Sequence, residues 1–268
     1  MSAPIVQGKA RALVRLTPRA AGWLAFYAAI LAAWAGVALM AQGVPGAGGD
    51  AIPAAFWTSL CASAAEARPL ALWAMWALMA AAMMLPTFAP ALRTFADLSA
   101  TGATTAAGAV ALVGGYLAVW LAASVAGAAA QWALARWGLL TPAGQSLSPW
   151  LSAALLLAAG AYQFSALKAS CLSKCRMPLT FFLQHWRPGP SAAAAMGARL
   201  GALCLGCCWA LMALGFVGGT MSLAWMGAAT LFMTLEKLPD IGRLATRPAG
   251  WGLILAGGAM TLRALNLV

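Results

Sequence analysis

Long apolar segments without a charged residue recur along this chain, and they restrict its possible folds more than any other feature. The first, from Ala21 to Ala41, contains no Asp, Glu, Lys or Arg. A helix needs about 20 largely apolar residues to cross the hydrocarbon core of a bilayer. In the whole chain 8% of the residues are charged and 63% are hydrophobic, whereas about a quarter of the residues of a soluble domain are charged. These values exclude an ordinary soluble domain and predict an all-α, polytopic transmembrane helical bundle.

Seven segments qualify as candidate spans. Their approximate limits are Ala21–Ala41, Leu70–Pro90, Thr104–Leu134, Pro149–Ser173, Leu200–Gly219, Met221–Leu238 and Ala249–Leu265. Together they predict one transmembrane helical domain over residues 21–268, preceded by a basic cytoplasmic N-terminus at residues 1–20. Because only residues 218–220 separate the fifth span from the sixth, we expect a tight hairpin there. The longest connection is an external loop at residues 42–69, and we assign no chemistry to its Cys61.

Basic residues lie mostly on one side of the predicted spans. The exceptions among the 16 Lys and Arg residues are Arg68, Arg136 and Arg263. Since Lys and Arg collect in cytoplasmic loops, this bias predicts a multi-pass protein of a bacterial cytoplasmic (inner) membrane, with its N-terminus in the cytoplasm and its C-terminus in the periplasm. The first span exceeds the 7 to 15 residues of a signal-peptide core, so we expect it to remain as an anchor.

The formal net charge of +11 indicates a lipid partner. Basic residues at the ends of membrane helices meet the anionic headgroups of the bilayer. No segment is dense enough in Lys and Arg to neutralise many phosphates. We therefore expect the bilayer as a partner and no nucleic acid.

Three cysteines stand close together in the fifth span. Cys204, Cys207 and Cys208 occupy positions i, i+3 and i+4, which lie on one side of an α-helix. If Arg199 marks the cytoplasmic boundary, Cys204 lies roughly 8 Å below it at a rise of 1.5 Å per residue. The spacing therefore predicts a sulfur-lined surface close to the cytoplasmic face.

A second pair of cysteines lies at the cytoplasmic end of the fourth span. Cys171 and Cys175 are again at i and i+4, so all five thiols are predicted to meet at similar depth and to enclose a soft metal. Thiolates select Cu(I), Zn²⁺ or iron–sulfur clusters, and four sulfurs suit zinc. The nearby cations Lys168, Lys174 and Arg176 would lower the pKa of these thiols. Buried cysteine is also common packing material, whereas a structural disulfide is disfavoured in the reducing cytoplasm.

Other side chains could add ligands, although each has a simpler explanation. Thioethers favour Cu(I), but methionine stripes usually fill cores. A lone interfacial histidine is more often an anchor than a ligand, and an acidic residue beside a lysine is often a helix-end ion pair. Intramembrane ionisable residues are nevertheless functional candidates. The secondary candidates are Met75, Met79, Met83, His185, Met212 and Glu236.

Several motifs resemble those of a bacterial family of uncharacterised integral membrane proteins described as predicted metal-binding. They are the run from Met75 to Pro90, Tyr162-Gln163, Cys171-x3-Cys175-Arg176, Trp186-Arg187, Cys204-x-Gly206-Cys207-Cys208-Trp209 and Glu236-Lys237. The resemblance covers most of residues 70 to 260 and implies a helical membrane protein with a cysteine-lined site. This chain has Leu200 where the family pattern usually has a histidine, which implies either weaker metal binding or reliance on sulfur alone.

Three functions are compatible with these observations. The leading hypothesis is a membrane-embedded protein that binds Cu(I), or less favourably zinc, for transport, storage or delivery to a membrane metalloenzyme or from a metal chaperone. The second is a membrane thiol–disulfide redox protein that uses the vicinal pair Cys207 and Cys208, since a strained vicinal disulfide would be labile. The third is an assembly factor or scaffold without metal, whose small residues serve close helix packing.

Overall fold

The computed structural model describes residues 17–42, 69–99, 105–239 and 241–265. These residues form α-helices and their connections, and one isolated antiparallel bridge joins Leu140 to Ser146. The predicted all-α bundle is confirmed. The helices are α1 (Pro18–Gln42), α2 (Pro69–Ser99), α3 (Ala106–Arg136), α4 (Pro149–Tyr162), α5 (Ala166–Arg176), α6 (Pro178–His185), α7 (Pro190–Ala213), α8 (Gly215–Gly218), α9 (Leu223–Glu236) and α10 (Ile241–Ala264). Most of the basic N-terminus, most of the loop at 42–69 and Cys61 lie outside the described residues.

Seven spans were expected, but fewer of the described helices are long and apolar enough to cross a membrane. Four segments are long and apolar enough by length and composition, namely Arg19–Ala41, Pro69–Leu98, Ala106–Arg136 and Pro190–Gly218. The bent pair α4 and α5 would make a fifth. The sixth predicted span corresponds to α9, which has 14 residues. The seventh corresponds to α10, which contains Pro248 and is not among the segments that meet the criteria for a span.

The fourth predicted span is broken rather than straight. Helix α4 ends at Tyr162, and α5 leaves at an angle of 63°. Ser165 begins α5 because its hydroxyl accepts a hydrogen bond from the Lys168 amide, which supplies an N-terminal cap inside the predicted span. The bend turns the Cys171 and Cys175 helix towards the middle of α7.

Helix α7 is longer than the fifth predicted span and begins at Pro190 instead of Leu200. Proline is favourable at the first helical position, where its missing N–H is not needed. Cys204 therefore lies just beyond the middle of α7 rather than near its start. The expected tight turn after this region is present, because Gly219 has φ of 93° between α8 and α9.

Close contact between α3 and α7 positions the centre of the bundle. A Cβ atom added to Gly197 would lie 1.9 Å from the Leu112 carbonyl oxygen, and one added to Gly201 would lie 2.9 Å from the Tyr116 carbonyl oxygen. Only glycine permits backbones to approach this closely. The approach brings the Tyr116 side chain against the cysteine face of α7.

The two ends of the bundle are fixed by different contacts. Arg19 forms an ion pair with Asp97, which places the start of α1 beside the end of α2. Phe95 packs on Phe182 of α6 at 5.5 Å between ring centroids, so α6 lies at this same end, which we call the basic end. At the opposite end the Ser146 amide donates to the Phe216 carbonyl at 2.7 Å.

Candidate metal centre

Three thiols converge on the buried face of α7. The Sγ atoms of Cys204, Cys207 and Cys208 all lie within 4.8 Å of one another, and no other such group of Cys, His, Asp or Glu occurs in the part of the chain that the structure describes. Each of the three residues is 1% exposed. The Cys207 and Cys208 sulfurs are 3.3 Å apart, and the Cys207 thiol donates to the Cys204 carbonyl at 3.1 Å. The helical spacing alone accounts for this convergence.

Cys204 is the thiol with the most neighbours from other helices. The Tyr116 hydroxyl of α3 lies 3.1 Å from its Sγ, and the Tyr116 ring stacks on Phe88 of α2 with 4.1 Å between centroids. The Lys237 ammonium also donates to Cys204 Sγ at 3.1 Å and to Thr87 Oγ1 at 2.7 Å. A sulfur anion at Cys204 would therefore have two donors and one compensating positive charge.

A thioether completes the sulfur surface. Met84 Sδ lies 3.9 Å from Cys204 Sγ, and Met84 is fully buried. The thioether candidates predicted from the sequence were Met75, Met79 and Met83, and Met84 was not among them. All three of those residues are buried in the core, and the described thiol–thioether contact is made by Met84 instead. In the sequence Met83 and Met84 are adjacent. Because neighbouring residues of a helix point in different directions, only one of these two side chains can face α7.

The two cysteines of α5, Cys171 and Cys175, lie in different environments. Cys175 is half-buried and is not a member of the group within 4.8 Å, but it lines a cavity that Cys204 also lines. Cys171 is buried and packs on the backbone of α7, since a Cβ added to Gly206 would lie 2.7 Å from its Sγ. Tyr162 donates its hydroxyl hydrogen to the Gly206 carbonyl at the same contact. Cys175 thus approaches the three-thiol group, whereas Cys171 flanks it.

A cavity of about 250 Å³ connects this group with the basic end. Its lining contains sulfur, hydroxyl and cationic groups from five helices or their ends, among them Cys175, Arg176, Cys204, Tyr116 and Lys237. Pro178, Leu238 and Pro239 surround it near the ends of α5 and α9. The cavity therefore gives Cys204 a route to the end of the bundle at which Cys175 lies.

The remaining secondary candidates have other partners. Glu236 forms a buried ion pair with Lys168 at 2.8 Å, and its backbone carbonyl accepts from Arg176 Nε at 2.8 Å. His185 Nδ1 lies 2.9 Å from the Phe181 carbonyl oxygen, one turn earlier in α6. Met212 lines an apolar groove between α2, α3 and α7. Lys168 is thus occupied by Glu236, and the cation that reaches a thiol is Lys237.

The arrangement is suited to a soft monovalent or divalent metal. Sulfurs that share one ion at about 2.3 Å lie within about 4.6 Å of each other, which agrees with the observed spread. Buried anions require a compensating charge, and Lys237 supplies one. The sequence predicted the three thiols and indicated Glu236-Lys237 as a possible ion pair. It did not predict Met84, Tyr116 or Lys237 as neighbours of Cys204, because these contacts are made between distant segments.

Comparison with known proteins identifies a family. A family model named PpoB2 and described as copper chaperone matches residues 73–260. This range contains all three converging thiols, Met84 and Lys237. No curated protein and no solved structure matches the chain.

Proposed function

The chain belongs to the PpoB2 copper chaperone family, and from this premise we propose that it binds Cu(I) as cargo within a membrane-embedded helical bundle and delivers it to an acceptor. Family membership and the thiol group together support a copper-related, metal-binding role. Delivery is preferred to storage because one compact sulfur group holds about one ion. A membrane metalloenzyme or a second metal chaperone is the acceptor that we propose.

The observation that carries the proposal is the all-sulfur surface around Cys204. It consists of three thiols within 4.8 Å of each other and the Met84 thioether at 3.9 Å from Cys204 Sγ. Thiolate and thioether together are the ligands that Cu(I) prefers. A structural zinc site has four Cys or His ligands, whereas this group has three thiols and His185 is engaged elsewhere.

Charge is a second argument for a monovalent cargo. A Cu(I) ion bound by two thiolates carries a net charge of −1, which the Lys237 ammonium offsets. Neutralising the charge of the bound ion matters, because an uncompensated charge in a buried site costs on the order of 3 to 5 kcal/mol. The half-buried Lys237 lies against Cys204 at 3.1 Å, close enough to play this part without becoming a ligand.

Membrane embedding and orientation belong to the proposal as well. Support comes from the four long apolar helices and from the surface of α3, which exposes Val110, Leu121 and Val125 as a lipid-facing helix would. The basic end is proposed to face the cytoplasm of a bacterial cell. Membrane fractionation and labelling of a reporter cysteine at the exposed Lys174 from each side would test this, and labelling from the periplasmic side only would reverse the orientation.

Copper binding is tested by anaerobic titration of the detergent-purified protein with Cu(I) against a chromophoric chelator. We expect about one equivalent per chain for the wild type, and loss of that equivalent in Cys204→Ser and Cys207→Ser. Cys61→Ser is the matched control, since it removes a thiol from the same chain outside the proposed site. Zinc bound in preference to copper would refute the choice of cargo, and retention of copper by both serine variants would refute the site.

A further inference from the structure

One of the sulfurs near the site differs from the others in its exposure. Among the described cysteines, Cys171, Cys204, Cys207 and Cys208 are buried, whereas Cys175 is intermediate. Ligand exchange at a buried metal requires a group that both the solvent side and the site can reach. Cys175 is the described thiol that has this intermediate exposure.

The cavity described above gives Cys175 a place on the route to the site. Cys175 and Cys204 both line it, and so do the cations Arg176 and Lys237. Complexes in which two thiolates hold Cu(I) are anionic, so a basic lining attracts them. The cavity chemistry therefore fits a Cu(I)–thiolate complex as the donor better than it fits a free cation.

The far end of this route is the three-thiol group itself. Cys204 lines the same cavity as Cys175, and its sulfur lies within 4.8 Å of those of Cys207 and Cys208. An ion held by Cys175 in the cavity therefore gains its first buried ligand from Cys204. Cys171 packs on Gly206 instead and does not line the cavity.

We propose that Cys175 is the exchange ligand, which accepts Cu(I) from a donor thiolate complex at the cavity and passes it to Cys204 in the three-thiol group. The inference rests on the proposed function of copper binding and adds a donor class and a path to it. It concerns the rate of loading, whereas the three buried thiols determine how tightly the ion is held.

The transfer leaves copper in the Cu(I) state throughout. The Cys175 thiol releases its proton to solvent as its sulfur–copper bond forms, and one copper–sulfur bond to the donor breaks. The released donor thiolate takes up a proton from solvent. In the second step the thiols of Cys204 and one neighbour in the three-thiol group lose their protons to solvent and bind copper. The Cys175 sulfur and the remaining donor sulfur leave, and each takes up a proton from solvent. No oxidant or reductant is consumed.

Stopped-flow mixing of the purified chain with the Cu(I)–glutathione complex under anaerobic conditions tests this path, with the ultraviolet absorption of copper–thiolate bonds as the signal. We expect Cys175→Ser to load at least about tenfold more slowly than the wild type, which corresponds to about 1.4 kcal/mol of activation free energy. Its copper stoichiometry at equilibrium should stay at that of the wild type. Cys175→Met keeps a sulfur donor and should recover part of the rate.

Ser173→Ala is the matched control, because Ser173 is exposed on the same helix and its hydroxyl bonds to the Ser170 carbonyl. It should load at the wild-type rate. Wild-type loading by Cys175→Ser overturns the proposal, and so does complete loss of its copper at equilibrium, which would make Cys175 a ligand of the resting site. Failure of the wild type itself to bind copper would refute the proposed function instead.

Discussion

Two neighbouring glycines of α3 test whether close helix packing maintains the proposed copper site. A Cβ added to Gly115 would lie 2.0 Å from the Ala194 carbonyl oxygen and 3.0 Å from the Ala198 amide nitrogen of α7, whereas one added to Gly114 would meet nothing within 4 Å. Both variants therefore add one methyl group to the same helix. Gly115→Ala adds it at a tight contact, whereas Gly114→Ala adds it in open space.

The expected difference follows from the contact. Both variants gain the same intrinsic helix stabilisation, about 0.5 to 1 kcal/mol for Ala over Gly. Only Gly115→Ala must push the two helices apart by roughly 1 to 1.5 Å to restore an ordinary contact distance, and overpacking of this kind costs about 1 to 3 kcal/mol. Because the helix term cancels between the variants, their stabilities should differ by about 1 to 3 kcal/mol.

The measurement is the free energy of unfolding of each variant in mixed detergent micelles, followed by copper titration of the folded protein. Tyr116, next to Gly115, lies 3.1 Å from Cys204 Sγ, so a displacement of α3 should also weaken copper binding in Gly115→Ala and leave Gly114→Ala unaffected. Equal unfolding free energies within about 0.5 kcal/mol, the usual spread for surface substitutions, would show that α3 and α7 are not in backbone contact and would refute the reasoning.

Three further substitutions probe the buried charges and sulfurs. Lys168→Met should destabilise the fold by about 3 to 5 kcal/mol, because it leaves Glu236 buried without its partner, and adding Glu236→Leu should restore most of that loss; additive losses in denaturation would contradict the pairing. Lys237→Met should lower the Cu(I) affinity about tenfold in chelator competition, equivalent to about 1.4 kcal/mol, whereas Lys237→Arg should lower it less, and equal affinities would exclude a role for charge. Met84→Leu should weaken copper binding more than Met83→Leu does. The reverse order would show that the predicted stripe of Met75, Met79 and Met83, and not Met84, supplies the thioether.

Helix content and the three-thiol group could both be predicted from the sequence because both depend on local geometry. Apolar segments of sufficient length specify helices, and positions i, i+3 and i+4 place Cys204, Cys207 and Cys208 together whatever else surrounds them. The bend between α4 and α5 was not predicted, since hydropathy continues through it and the decisive feature is the Ser165 cap.

The choice of partners for those thiols was made by the tertiary structure. Met84 rather than Met75, Met79 or Met83, and Lys237 rather than Lys168, reach Cys204 because the rotation and approach of α2 and α9 against α7 decide which side chain of each helix faces it. A repeating pattern in one helix defines a stripe, but it does not define the neighbour that the stripe will contact. The sequence by itself therefore determined a helical bundle with sulfur chemistry on α7, and only the packing of distant helices decided which thioether, hydroxyl and cation surround that sulfur.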